Sequence, residues 1–263
     1  MNEKLRTVLI SIFTIIFVYS AVRIVIAEIG YKKAEAIYEK SRDENFFVST
    51  QSASVDQNSN KTEEYFPDVY INFKALKAAN PDIVGWIWIP DTDVSFPLLY
   101  AEDNMKYLGY SYDMQRTSSG SIFMDYRNSS SLSDCNTVIY GHNMNDGSMF
   151  GDLKKYSDYD YLSDHSDLYI FTESSIFKYR IFAAYRTEND SKSYTFSFTE
   201  DWNYNNYIEY IKNCSRDSLI NVPAEEAPLI MLSTCTSIRR SERLVVHASL
   251  IAEKKYENAL LTA

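Results

Sequence analysis

Histidine, cysteine, proline and glycine are all scarce in this chain, at 3, 3, 6 and 7 among 263 residues. The cysteines, Cys135, Cys214 and Cys235, form no CxxC pair, and no two histidines stand at metal-ligand spacing. A zinc site is therefore not expected, and neither is any other metal or cofactor. The odd thiol count leaves at least one cysteine free within a single chain. Spacing does not decide whether Cys135 and Cys214 are bridged or are two thiols packed as small buried hydrophobes. Positive charge is also short, with 26 Lys and Arg against 36 Asp and Glu and a net charge of -10. Phosphate recognition needs a basic face, so a nucleic-acid partner is not expected. No internal repeat is present.

What the chain has in abundance is aromatic side chains, 22 Tyr, 14 Phe and 3 Trp. With so little glycine, that composition suits strands, because aromatic and β-branched groups pack well on a pleated surface. The amino terminus pairs a charged head, MNEKLR, with an apolar run that Arg23 interrupts. IVIAEIG then extends the run to about the 20 residues that cross a bilayer. No small-x-small cleavage site follows, which argues for an uncleaved anchor. Lys32 and Lys33 on the far side weaken any orientation rule based on charge. An anchor crossing the cell membrane once is expected; its orientation, with the domain outside the cell, follows from the family resemblance of the later motifs and not from charge.

The organisation follows as an anchor over 1–29, a helical stalk and polar linker over 30–64, and a globular domain over 65–263. Within that domain, 72–79 has helical composition and stops at Asn80-Pro81, since the residue before proline leaves the helical region. Strand-like segments cover 84–89, 94–100, 121–124, 138–140, 168–171, 176–185, 229–232 and 244–246. A helix is expected over 148–156. A second starts near Thr199-Glu200-Asp201 and carries Tyr204, Tyr207, Ile208 and Ile211 at helical spacing. Many short strands with one or two inserted helices suggest a closed or nearly closed β-barrel in a mainly β fold.

Cys235 falls just past the apolar run 229–232, and Arg243 opens the next run, so thiol and guanidinium can meet at the mouth of two strands. A cysteine attacks only as thiolate and ordinarily titrates near ~8.5, so it needs a base or cation beside it. His247 lies inside LVVHASLIA and reads as a strand residue with a satisfied ring, and His165 reads as a solvated turn. His142 follows a strand and a glycine, where a ring can face a cleft. A lone cysteine more often packs as a small hydrophobe, and Arg239 and Arg240 compete with Arg243. The residues alone point to a cysteine enzyme and leave a non-catalytic peptide-binding barrel open.

Leu232-Ser233-Thr234-Cys235, with Arg243 eight residues on, resembles the TLxTC…R signature of sortases, and Ile139-Tyr140-Gly141-His142 is similar to their histidine motif. Met231 departs from the threonine common there. The segments 80–87 and 120–128, and the helical insertion before the nucleophile strand, resemble class B sortases over about Asp68 to Ala252. The resemblance implies a closed eight-stranded sortase-type barrel with peripheral helices. It further implies a membrane-anchored cysteine transpeptidase that cleaves a carboxyl-terminal sorting signal after threonine. Cys235 would form a thioacyl enzyme, His142 would move protons, and Arg243 would hold the oxyanion or the substrate backbone. Asn104, Leu108, Tyr194, Thr195 and Ser233 are the implied substrate contacts. The implied partners are secreted proteins bearing a sorting motif and a lipid-linked peptidoglycan-precursor amine. A pilin-polymerising enzyme using a lysine amine is the alternative.

Overall fold

The structure, a computed structural model, describes residues 3–48, 64–216, 218–236 and 241–256. Most of the expected polar linker, together with Arg239 and Arg240, lies outside the described residues. One continuous helix, α1 (Glu3–Asn45), opens the chain. Its first part is long and apolar enough to cross a membrane, and none of that stretch is buried against protein. Its last part docks instead: Ala34, Ile37, Tyr38, Ser41 and Asn45 form a buried stripe at helical spacing. The segment expected as a stalk is therefore packed on the domain along this face. Directly after it, β1 (Phe46–Val48) pairs antiparallel with β2 (Val69–Ile71), and Phe46 stacks on Trp86 at 5.4 Å.

α2 (Phe73–Ala79) starts where the Asn72 side chain accepts from the Ala75 amide at 3.1 Å and ends at Asn80, ahead of proline. Eight strands follow: β3 (Ile83–Trp88), β4 (Ser95–Leu99), β5 (Ile122–Met124), β6 (Asn136–Tyr140), β7 (Asp167–Phe171), β8 (Ser175–Glu188), β9 (Leu229–Cys235) and β10 (Glu242–Lys255). They close into a barrel in the order β10-β8-β7-β3-β4-β5-β6-β9. The sheet is mixed, since β4–β5 and β6–β9 run parallel and the other pairs antiparallel. Closure removes free edges. It also allows the central strands to be apolar on both faces, as in β4, where every residue is buried.

Three expectations need correction. The 148–156 helix is a 3-10 segment, Gly151–Ser157, because Met149 takes a positive φ of 55° and bridges to Asn143. A short helix, α3 (Tyr159–Asp164), follows, and the inserted helix, α4 (Tyr204–Ser215), is capped by Asn203, whose side chain accepts from the Asn206 amide. Thr199 instead closes a turn onto Trp202, which ends two residues before the helix begins. The apolar stripe on α4 is core, as spacing indicated, with Tyr207 and Ile211 fully buried. Cys214 sits at the edge of that stripe and is exposed rather than buried, and all three cysteines are free thiols.

Candidate active site

Two strand registers assemble the site. On β9 and β10, Cys235 and Arg243 are direct cross-strand partners. On β6 and β9, Tyr140 lies beside Ser233, and the Gly141 amide donates to the Ser233 carbonyl at 3.2 Å. The thiol is exposed and is the last residue of its strand, not a residue beyond it. His142 leaves the ladder one residue after Gly141, where a side chain would collide with Phe150 and Ile122 at 2.7 and 2.5 Å. Only glycine lets the chain pass there. The His142 carbonyl accepts from the Phe150 amide at 3.0 Å. Its ring Nε2 lies 2.9 Å from the Leu108 carbonyl, which can only accept, so Nε2 carries the proton of the neutral ring.

Cys235, His142 and Arg243 all line one groove of about 270 Å³. Asn104, Leu108, Tyr194 and Ser233 line it as well, whereas Thr195 is not among its lining residues. The Thr195 hydroxyl is engaged elsewhere, accepting from Trp202 Nε1 at 3.0 Å and donating to the Lys192 carbonyl at 2.7 Å. Tyr194 shares a 2.7 Å hydrogen bond with Ser233 and stacks on Tyr140 at 6.5 Å. Burial pushes the Tyr194 phenol up, so it remains a neutral donor on the groove wall. Phe123, Tyr140, Gly141, Asn189 and Thr234 complete the lining. Tyr140 and Gly141 lay inside the histidine motif. Asn189 follows β8 and hydrogen-bonds the Ser241 carbonyl, a contact for which the sequence carries no signal.

Beneath the groove, Asp125 is fully buried and gathers both walls. It accepts from Asn104 Nδ2 at 2.9 Å, from Tyr140 at 2.8 Å, and from Arg127 Nε and a terminal guanidinium nitrogen at 2.8 and 2.7 Å. Arg127 in turn lies 3.9 Å from the Phe196 ring. Burial by itself would raise the Asp125 carboxyl, but the hydrogen bonds, led by those from Arg127, hold it below its ordinary value. Its stabilising effect is therefore present above the unfolded value near 3.8 and lost as pH falls through the lower folded one. Asp125→Asn strands the half-exposed Arg127, and a loss of roughly 2–3 kcal/mol is expected in urea denaturation, below the 3–5 of a fully buried pair. An unchanged midpoint would remove this role.

The other histidines stand apart. His165 stacks on Tyr161 at 4.1 Å and its Nδ1 meets the Tyr161 carbonyl at 3.0 Å, so it is packed at a helix end rather than loose in a turn. His247 is fully buried, with Nε2 3.0 Å from the Tyr185 hydroxyl and Nδ1 without a protein partner. Its ring is thus half satisfied, where the sequence led us to expect full satisfaction. Burial lowers its pKa from 6.5 to about 3. Between those values the unfolded chain binds a proton that the folded chain refuses, so stability falls as pH drops, by up to ~1.4 kcal/mol per pH unit. Between pH 6.5 and 5, urea melts of the native protein should lose about 1.6 kcal/mol more than those of His247→Gln. Equal losses would refute this.

A sortase-domain family model matches residues 87–251. Sortase B of Listeria monocytogenes is 33% identical over 227 residues, covering 85% of this chain and 91% of that protein. Sortase B of Staphylococcus aureus is 28% identical over 231 residues, covering 87% and 93%. Among solved structures, sortase B from Bacillus anthracis in complex with AAEK1 superposes with a TM-score of 0.68 at 32% identity, covering 85% of this chain and 98% of that one. The Staphylococcus aureus sortase B–substrate complex gives 0.61 at 30% identity, covering 68% and 84%. With the domain match spanning the barrel from β3 to β10 and these relatives sharing both its length and its fold, the chain belongs to the sortase family, in class B.

Proposed function

We propose that this cysteine transpeptidase cleaves a carboxyl-terminal sorting signal after threonine and joins the released acyl group to an amine of a lipid-linked cell-wall precursor. The observation that carries the reading is the meeting of Cys235, Arg243 and His142 at one groove through strand register. In the first step His142 takes the Cys235 thiol proton at Nδ1, and the thiolate attacks the threonine carbonyl. The tetrahedral intermediate collapses to a thioester, and His142 gives its proton to the departing amine. In the second step His142 takes a proton from the incoming amine, which displaces the thiol and restores it. The Arg243 guanidinium stays charged throughout and stabilises the developing oxyanion or fixes the substrate backbone, for which its planar fork is suited. Asn104, Leu108, Tyr194 and Ser233 would hold the sorting peptide along the groove. Thr195 would act only indirectly, by orienting Tyr194 beside it. The apolar part of α1 would anchor the enzyme, with the domain outside the cell, and the organisation into anchor, connecting segment and catalytic domain is proposed in the same sense.

Intact-mass measurement after incubation with a peptide carrying a threonine-containing sorting motif tests this. The expected result is a covalent acyl adduct on Cys235 that a supplied amine discharges. No adduct with any such peptide would favour a silent peptide-binding barrel. Offering diaminopimelate, oligoglycine and a pilin lysine peptide in turn separates cell-wall attachment from pilin polymerisation.

A further inference from the structure

The His142 end of the groove is held against α1 where the helix's apolar run stops. Gly30 ends that run, and a Cβ built there would stand 3.6 Å from Ser118 Oγ. About two turns further on, the buried Tyr38 hydroxyl donates to the Gly120 carbonyl at 2.5 Å and lies 3.1 Å from Ser121 Oγ. Residues 118–121 are therefore fastened to the helix between the levels of Gly30 and Tyr38. Gly120 in turn sits under the groove: a Cβ there would stand 3.0 Å from the Leu108 carbonyl and 3.1 Å from His142 Cδ2. At a rise of about 1.5 Å per residue, Tyr38 stands ~12 Å above Gly30 along the axis, and Asn45 ~22 Å. The docked stripe and the apolar run belong to one helix, so the direction in which the chain enters a bilayer is fixed relative to the barrel.

The side chains presented at this level suit an interface. Leu108 is 38% exposed and Tyr110 37% exposed. Arg116, exposed, faces Tyr110 across an isolated antiparallel bridge, and Ser118 is exposed beside Gly30. An apolar group, an amphipathic phenol and a cation are the residue types that settle among lipid headgroups. We propose that the barrel rests on the outer surface of the bilayer by the face carrying Leu108, Tyr110, Arg116 and Ser118, so that the His142 end of the groove opens into the headgroup layer. This rests on the anchor reading given above. It would present a lipid-linked amine to the thioester without the lipid leaving its leaflet.

The full chain, with Cys135→Ser, Cys214→Ser and Cys235→Ala, is reconstituted in vesicles of phosphatidylethanolamine and phosphatidylglycerol. Single cysteines for an environment-sensitive fluorophore are introduced as Tyr110→Cys, Ser118→Cys, Phe47→Cys and Val22→Cys. The labels at 110 and 118 are expected to be quenched several-fold more by a headgroup nitroxide than the label at 47, which lies beyond the far end of α1. The label at 22 should be quenched by an acyl-chain nitroxide. If 22 is quenched while 110 and 118 behave like 47, the anchor stands and the proposed face is refuted. If 22 is not quenched, the anchor reading fails and the face falls with it.

Discussion

Cys235→Ala is expected to abolish turnover, by at least ~10⁴-fold, in the range seen when the nucleophile of a covalent mechanism is removed. The reason is chemical rather than structural. Cys235 ends β9 with its side chain exposed, so truncation opens no core cavity, and the backbone pairing of β9 with β10 and β6 does not depend on the thiol. No other thiol is placed to substitute. Cys135 donates to the Phe196 carbonyl at 3.2 Å, burial pushes its pKa up, and Cys214 lies on α4. Neither lines the groove. The check is peptide cleavage rate together with intact mass and a thermal melt. A folded variant that still forms the adduct would transfer the nucleophile elsewhere and end the assignment.

His142→Ala should follow, with a loss of about 10²–10⁴-fold and an unchanged melting temperature. The interactions that hold the segment are backbone ones, the Gly141 amide to Ser233 and the Phe150 amide to the His142 carbonyl, and both survive truncation. What disappears is an imidazole whose Nε2 proton is committed to the Leu108 carbonyl, leaving Nδ1 as the basic nitrogen of the neutral ring. Nucleophile activation and amine protonation are lost together, so both formation of the acyl adduct and its discharge by an amine should slow. Neither His165, stacked on Tyr161, nor His247, buried between β10 and α4, lines the groove to replace it. A variant with native rates of adduct formation and discharge would remove His142 from proton transfer.

Much of the fold was legible in the sequence because its local signals agree with the barrel. Apolar and aromatic runs became β3, β4, β7, β8 and β9, and the Tyr204 stripe became the buried face of α4. Boundaries failed where short polar side chains competed for backbone hydrogen bonds. Thr199 and Asn203 are both plausible helix starts in sequence, and only the turn closed by Thr199 onto Trp202 makes Asn203 the cap. In the same way, the docked end of α1 read as a charged stalk. The stripe from Ala34 to Asn45 is mixed in polarity, and its burial depends on a surface supplied by residues 73–121.

The sequence by itself determined the chemical types available, namely one thiol and one arginine at strand mouths, a histidine behind a glycine, and an apolar leader long enough to cross a bilayer. Their gathering around one groove was decided by tertiary structure, because cross-strand register relates residues that chain order leaves unconnected. The same holds for Asp125 joining Asn104 to Tyr140, for Asn189 reaching the groove, and for the exclusion of Thr195 from it. Hydrophobic periodicity says which side of a strand is buried, whereas partner and register are set only when the barrel closes.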